Sequence, residues 1–198
     1  MTMELHLRYV CESDRLLLHA WRNQEHIRAV SLNSQIIESE THDKWFDSVL
    51  RVGFRTPLIC SWNSRPAGVI QIENWDPLQK VGMWGCYVGD VNASPILGAA
   101  LPFLAIDHAF ESLGARKLQA VVLASNLRML QIHKRLGIRQ EGRLISQTLS
   151  GSDEIDQIMF GIHRNEWPEF REKTLLLFPI SLRQQLMETR KIDLNGKD

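Results

Sequence analysis

Four groups of residues in this chain carry chemistry. Ile96, Leu97, Gly98, Ala99 and Ala100 follow a turn-forming stretch and open a long apolar segment. At a helix start, such small residues expose unbonded backbone N–H groups where the helix dipole is positive, which suits a phosphate, although they also serve close packing. Further on, Asn126, His133 and Lys134 share one short helical stretch, and an imidazole passes protons in either direction near neutral pH. Glu73 and His42 are candidate bases that would act on an amine through water. Arg22, Asn23, Arg28, His42, Trp45, Phe46 and Trp84 bring together cations, an amide and ring faces, groups able to meet anions and aromatic rings of a substrate.

Each residue also has a plainer reading. Trp45 and Phe46 recur at the spacing of an amphipathic helix and would serve a core. Arg22 and Arg28 suit solvated helix ends, and a lone histidine such as His133 packs at a helix end as readily as it catalyses. Trp84 and Tyr87 stand at odd spacing on one strand and therefore face opposite sides. Cys86, between them, reads as a small strand residue rather than an acyl carrier.

Composition narrows the classes. The chain has 198 residues and 44% hydrophobic content, enough for one core. Lys plus Arg equals Asp plus Glu at 23 each, so no global field draws it to nucleic acid or anionic lipid. Cys11, Cys60 and Cys86 are far apart and read as reduced thiols in cytoplasm, and with neither CxxC nor HExxH no metal is expected. The start lacks the blocks of a signal peptide, and the uncharged apolar stretch at 96–106 is half a membrane span, so neither export by that route nor a membrane location is expected.

The elements that must position these residues follow from periodicity. Alternation predicts strands at 5–9, 57–62, 67–73, 81–88, 117–124, 138–149 and 155–162, with a tight turn at 63–66 and a loop at 74–80. Helices are predicted from Ser13 or Asp14 as cap to Trp21, at 38–50, at 96–113 with Gly114 as stop, at 126–136 with Gly137 as stop, and at 182–191. Pro168 and Pro179 break the tail, residues 175–180 would cover the core or join a second copy as a homodimer, and 193–198 would fray. The result is a mixed α/β domain at 1–167, with a helical extension and tail at 168–198.

The run from Asn126 to Ile138 resembles the N-x-x-A-x-x-L-Y-x-K-x-G-F signature of the GNAT superfamily of N-acetyltransferases, with the small-residue loop upstream in matching order. The resemblance covers residues 5–165. It implies a mostly antiparallel central sheet flanked by helices, with a central strand at 83–88 that splays from its neighbour. Acetyl-CoA would then be the donor, its pantetheine arm pairing with the strand at Cys86, Tyr87 and Val88, where a backbone N–H near Tyr87 or Val88 polarises the thioester carbonyl. Departures are visible. Proline stands at 95, where the family's loop usually has arginine or glutamine, His133 takes the place of the tyrosine that protonates the departing thiolate, and Ile138 that of an aromatic residue. The segments 21–23, 40–46, 84–87 and 141–144 resemble the branch that acetylates UDP-4-amino-4,6-dideoxy-N-acetyl-β-L-altrosamine in pseudaminic acid biosynthesis. Ribosomal-protein N-terminal acetyltransferases share part of that pattern, and a non-catalytic acyl-CoA-binding module stays open.

Overall fold

A computed structural model of the protein describes residues 4–51 and 57–188. Seven strands, β1 (Leu5–Tyr9), β2 (Leu58–Trp62), β3 (Arg65–Asp76), β4 (Val81–Val88), β5 (Lys117–Leu123), β6 (Arg139–Ser150) and β7 (Asp153–His163), form one sheet. Their order is β1-β2-β3-β4-β5-β7-β6. Every neighbouring pair is antiparallel except β4 and β5. The hairpin from β2 to β3 turns on Asn63 and Ser64, both at positive φ (50° and 62°), the backbone a two-residue turn needs to match strand twist.

Alternation along the strands assigns the two faces. Leu7, Cys60, Ile70, Trp84, Leu118 and Phe160 point to one side and pack under α4 (Leu97–Glu111), α5 (Leu127–Arg135), α6 (Trp167–Leu175) and α7 (Ile180–Glu188). Ile59 and Val69, with Tyr87 against them, point to the other, under α1 (Arg15–Arg22), α2 (Glu25–Arg28) and α3 (Ser39–Leu50). Twelve of the residues of α4 are buried, which explains why its sequence is apolar all round rather than striped. α1 and α3 are tied by Arg15, whose guanidinium bonds Glu12 and Asp47 at 2.6 Å each and lies 4.6 Å over the Phe46 ring.

Several expectations change in three dimensions. Asp14 does not cap α1 with its side chain. Its carboxylate accepts from both ends of the Arg8 guanidinium (2.6 and 2.7 Å) and from the Cys11 N–H (2.9 Å). Burial would raise its pKa, but the bonds from Arg8 and Cys11 together hold it below the usual value. α2 is a single turn, too short to show a period. β3 runs past Glu73 to Asp76, with a register shift between them, into the stretch expected to be loop. Pro168 does not break the chain: it lies in the first turn of α6, where no backbone N–H is required. The extension is part of the core, with Leu175, Phe178, Leu182 and Leu186 all buried, while Leu176, Leu177 and Ile180 remain exposed. The predicted end of the last helix at 191 and the frayed end at 193–198 lie outside the described residues. Among the described residues no helix is long and apolar enough to cross a membrane.

Candidate active site

The sheet opens at its centre. β4 pairs with β5 only through Val81, Gly82 and Met83. Beyond that point β4 stays with β3 up to Val88, while β5 stays with β7 up to Leu123, so the two central strands diverge. Gly89 N–H donates to Ala67 O at 2.9 Å. The alternation of an antiparallel ladder then commits the N–H of Tyr87 and Gly85 to β3 and turns the N–H groups of Val88 and Cys86 towards the opening. Of the two amides expected to face a carbonyl, Val88 has the right direction and Tyr87 does not. Cys86 is held protonated, because burial and then neighbouring Cys60 push its thiol up to about 12.

At the mouth of the opening, α4 begins. Its first amides are not free: Leu97 N–H bonds Ser94 O (2.9 Å), Gly98 N–H bonds Pro95 O (3.3 Å) and Ala99 N–H bonds Ile96 O (3.0 Å), a tight first turn. Leu97 and Ala100 are buried against the sheet, and Ile96, Gly98 and Ala99 are half-buried. Over this turn lies Arg128 of α5, whose Nη2 donates to Pro95 O at 3.2 Å. A Cβ on Gly98 would stand 2.9 Å from that nitrogen, the movable end of an exposed side chain. Residue type alone did not single out Arg128, because the contact joins segments 33 residues apart.

The α1–α3 side of the opening carries Glu73, Tyr87 and Arg22. Glu73 is open to solvent and bonded by Gln71 Nε2 at 3.0 Å. Lost hydration raises its carboxyl pKa, and the Arg22 charge across the face partly offsets the rise. Arg22 ends α1, and its Nη2 donates to Asn33 O (3.1 Å), while its Nη1 is buried without a partner among the described residues. Burial lowers its pKa, opposed by Tyr87 and Glu73, and Arg28 nearby adds a like charge. Arg28 donates to the main-chain oxygens of Asn23 (3.1 Å) and Ser34 (2.9 Å). Asn23 is spent on the backbone of Ile37, accepting from its N–H (2.8 Å) and donating to its O (2.9 Å).

A strand pair that parts halfway, a helix starting at the mouth and an acid facing a cation are the features against which relatives can be set. The profile of the acetyltransferase (GNAT) domain matches residues 4–139. The chain belongs to the GNAT acetyltransferase family. No curated protein matches the sequence. Its fold is similar to that of the Vibrio cholerae spermidine N-acetyltransferase solved with CoA and spermine, at TM-score 0.76 and 13% identity over 83% of this chain and 98% of that one. An N-acetyltransferase of Staphylococcus aureus Mu50 aligns at TM-score 0.69 and 17% identity, over 81% and 99% of the chains. The yncA protein of Salmonella typhimurium, solved with acetyl-CoA, aligns at 0.68 and 17%, over 84% and 96%.

This GNAT protein is thus an acyltransferase with acetyl-CoA as donor. The remaining expected site residues sort by face. His133 and Trp84 lie on the far side of the sheet from Glu73, stacked at 5.0 Å, with Phe160 4.3 Å from the imidazole. His133 is fully buried, and its Nδ1 bonds Met129 O at 2.9 Å. A carbonyl only accepts, so Nδ1 carries the proton, and Nε2 presents a bare lone pair with no partner. Burial lowers its pKa to about 4, so the ring is neutral and does not supply a proton to a thiolate. The expected acid role does not fit this arrangement, nor does a substrate contact for Trp84, which is 6% exposed on the helix side. Phe46 is fully buried and His42 4% exposed, packed with Trp45 at 5.4 Å, so α3 offers its rings to the core beneath the site. Burial and then His19 lower the His42 pKa, and with its ring enclosed it does not serve as a base. Asn126 caps α5 by accepting from Met129 N–H (3.1 Å), and Lys134 is exposed on that helix. Among the described residues no group of three or more His, Cys, Asp or Glu could hold a metal ion.

Proposed function

We propose that the enzyme transfers the acetyl group directly to the 4-amino group of a nucleotide-linked amino sugar, as its resemblance to the UDP-4-amino-4,6-dideoxy-N-acetyl-β-L-altrosamine branch implies. The observation that carries the reading is Arg22 Nη1, a buried guanidinium nitrogen without a partner among the described residues, on the face that also holds Glu73. A desolvated guanidinium that faces Glu73 but keeps an unbonded nitrogen favours an acceptor that brings an anion with its amine. Acetyl-CoA supplies the acetyl thioester. Glu73 takes a proton from the ammonium through water, and the neutral amine then adds to the carbonyl while the Val88 N–H polarises it. The C–N bond forms as the C–S bond breaks, the nitrogen gives up its remaining excess proton to water, and the thiolate takes one up from the same solvent, so amide and thiol leave neutral. Holding both reactants across the opening carries much of the rate, since it replaces an encounter by an intramolecular step.

The test is a panel: acetyl-CoA with the UDP-linked 4-amino sugar, an uncharged amino sugar, spermidine and a basic peptide, following thiol release. Turnover is expected with the nucleotide sugar, and spermidine is expected to fail because its ammonium groups meet Arg22 and Arg28. Turnover with spermidine or the peptide alone would overturn the assignment.

A further inference from the structure

Gln71 stands two places before Glu73 on β3. Side chains at i and i+2 of a strand share one face about 7 Å apart, a distance a glutamine spans. Here it does so: Gln71 Nε2 donates to Glu73 Oε1 at 3.0 Å. A carboxylate only accepts, so the amide presents its N–H side, and the bond favours the ionised acid. The glutamine lies across the neighbouring strand. Gln71 is the register partner of Gly85 on β4, and a Cβ on Gly85 would meet Nε2, Cγ and Cδ of Gln71 at 3.4, 3.5 and 3.9 Å. Gly85 belongs to the stretch of β4 that has already left β5. The amide is therefore laid over a residue with no side chain, beside the opening.

The other charged or titratable groups around Glu73 come from three elements. Arg22 of α1 faces it, with Arg28 of α2 acting on Arg22, and Tyr87 lies on the same side of β4. On β5, Lys117 shares the sheet face but is paired with Glu141 of β6 at 2.7 Å. Among the described residues Gln71 is the one group that donates a hydrogen bond to Glu73, and Oε2 accepts none.

We propose that Gln71 is a positioning residue for the acetyl transfer: laid over Gly85, its amide ties down Oε1 of Glu73 and leaves Oε2 for the water that collects the acceptor's proton. An untethered glutamate loses rotamer freedom each time it is brought to a substrate, and the tether removes part of that cost beforehand. Gln71 itself touches no reacting atom. The inference rests on Glu73 as the base, as proposed above.

The experiment is a kcat/KM profile from pH 5 to 9, taken with whichever amine of the panel turns over, for Gln71→Leu, Gln71→Lys and Gln71→Leu combined with Glu73→Gln. Gln71→Leu is expected to lower kcat about tenfold with acetyl-CoA affinity unchanged. Its acid limb should move up by roughly half a unit to one unit, because the ionised acid loses a donor. Gln71→Lys should move the limb the opposite way, since an ammonium donates and adds a favourable charge. In the Glu73→Gln background, Gln71→Leu should cost nothing further. An acid limb that stays put in both single variants would overturn the proposal. So would an equal loss from Gln71→Leu with and without Glu73, which would put Gln71 in direct contact with the acceptor. Full activity in Glu73→Gln alone would remove the base and this inference with it, a pattern distinct from the other two.

Discussion

Glu73→Gln is expected to lower kcat/KM at neutral pH by about 10²-fold, the lower end of what a positioned base contributes. The variant should keep its affinity for acetyl-CoA, because Glu73 lies on the acceptor face and not along the strand edge. The pH dependence makes the role specific. Glu73 is exposed as a residue, but protein packed around its carboxyl displaces hydration and holds it above the ordinary range, partly offset by Arg22. A base works when ionised, so activity should fall as pH drops through this raised pKa, at higher pH than for a fully hydrated glutamate. The variant should lack that limb and keep only the one set by the amine. Stability has the opposite sign: a carboxyl with a raised folded pKa costs stability once pH rises through it, so the neutral amide should not lower the melting temperature. An unchanged pH profile in Glu73→Gln, measured from pH 5 to 9, would remove Glu73 from the chemistry.

Phe46→Ala is expected to cost about 3–5 kcal/mol of folding stability, read from urea unfolding. The ring is fully buried, with Arg15 on one face and His42 and Trp45 at its edges. Its removal opens a cavity where α3 packs on the sheet and undoes the anchor that holds Arg15 between the two helices. Phe46→Leu should recover most of the loss by refilling the volume. The alternative, a ring stacked on a nucleotide base, predicts a raised acceptor KM with little loss of stability in both variants. That pattern would return Phe46 to the binding surface.

The contrast between Glu73 and Phe46 shows how far the sequence alone reaches. Periodicity located the strands and the helices over the centre of the chain to within a few residues, because the period of a half-buried element is written in its own neighbours. The signature running from Asn126 to Ile138 was legible for the same reason, as were the proline at 95 and the histidine at 133. Opposite faces for Trp84 and Tyr87 followed from odd spacing on one strand. Elements with no local signal were missed: α2 is a single turn, and α6 has a proline as its second residue, whose effect depends on whether it falls inside a helix or in its first turn.

Tertiary structure alone decided which side chains share a site. Phe46, His42 and Trp84 have the right chemistry for a ligand, yet packing turns all three into the core, whereas Arg22 and Glu73, 51 positions apart in the chain, come to face one another. Arg128 meets Pro95 only because α5 crosses the start of α4. His133 loses its expected role not by residue type but by enclosure, which makes the ring neutral, and by one carbonyl, which fixes its tautomer. The physical reason is common to these cases: residue type sets what a group is able to do, while burial, charge and hydrogen-bond partners decide which of its states exists, and those come from segments distant in the chain.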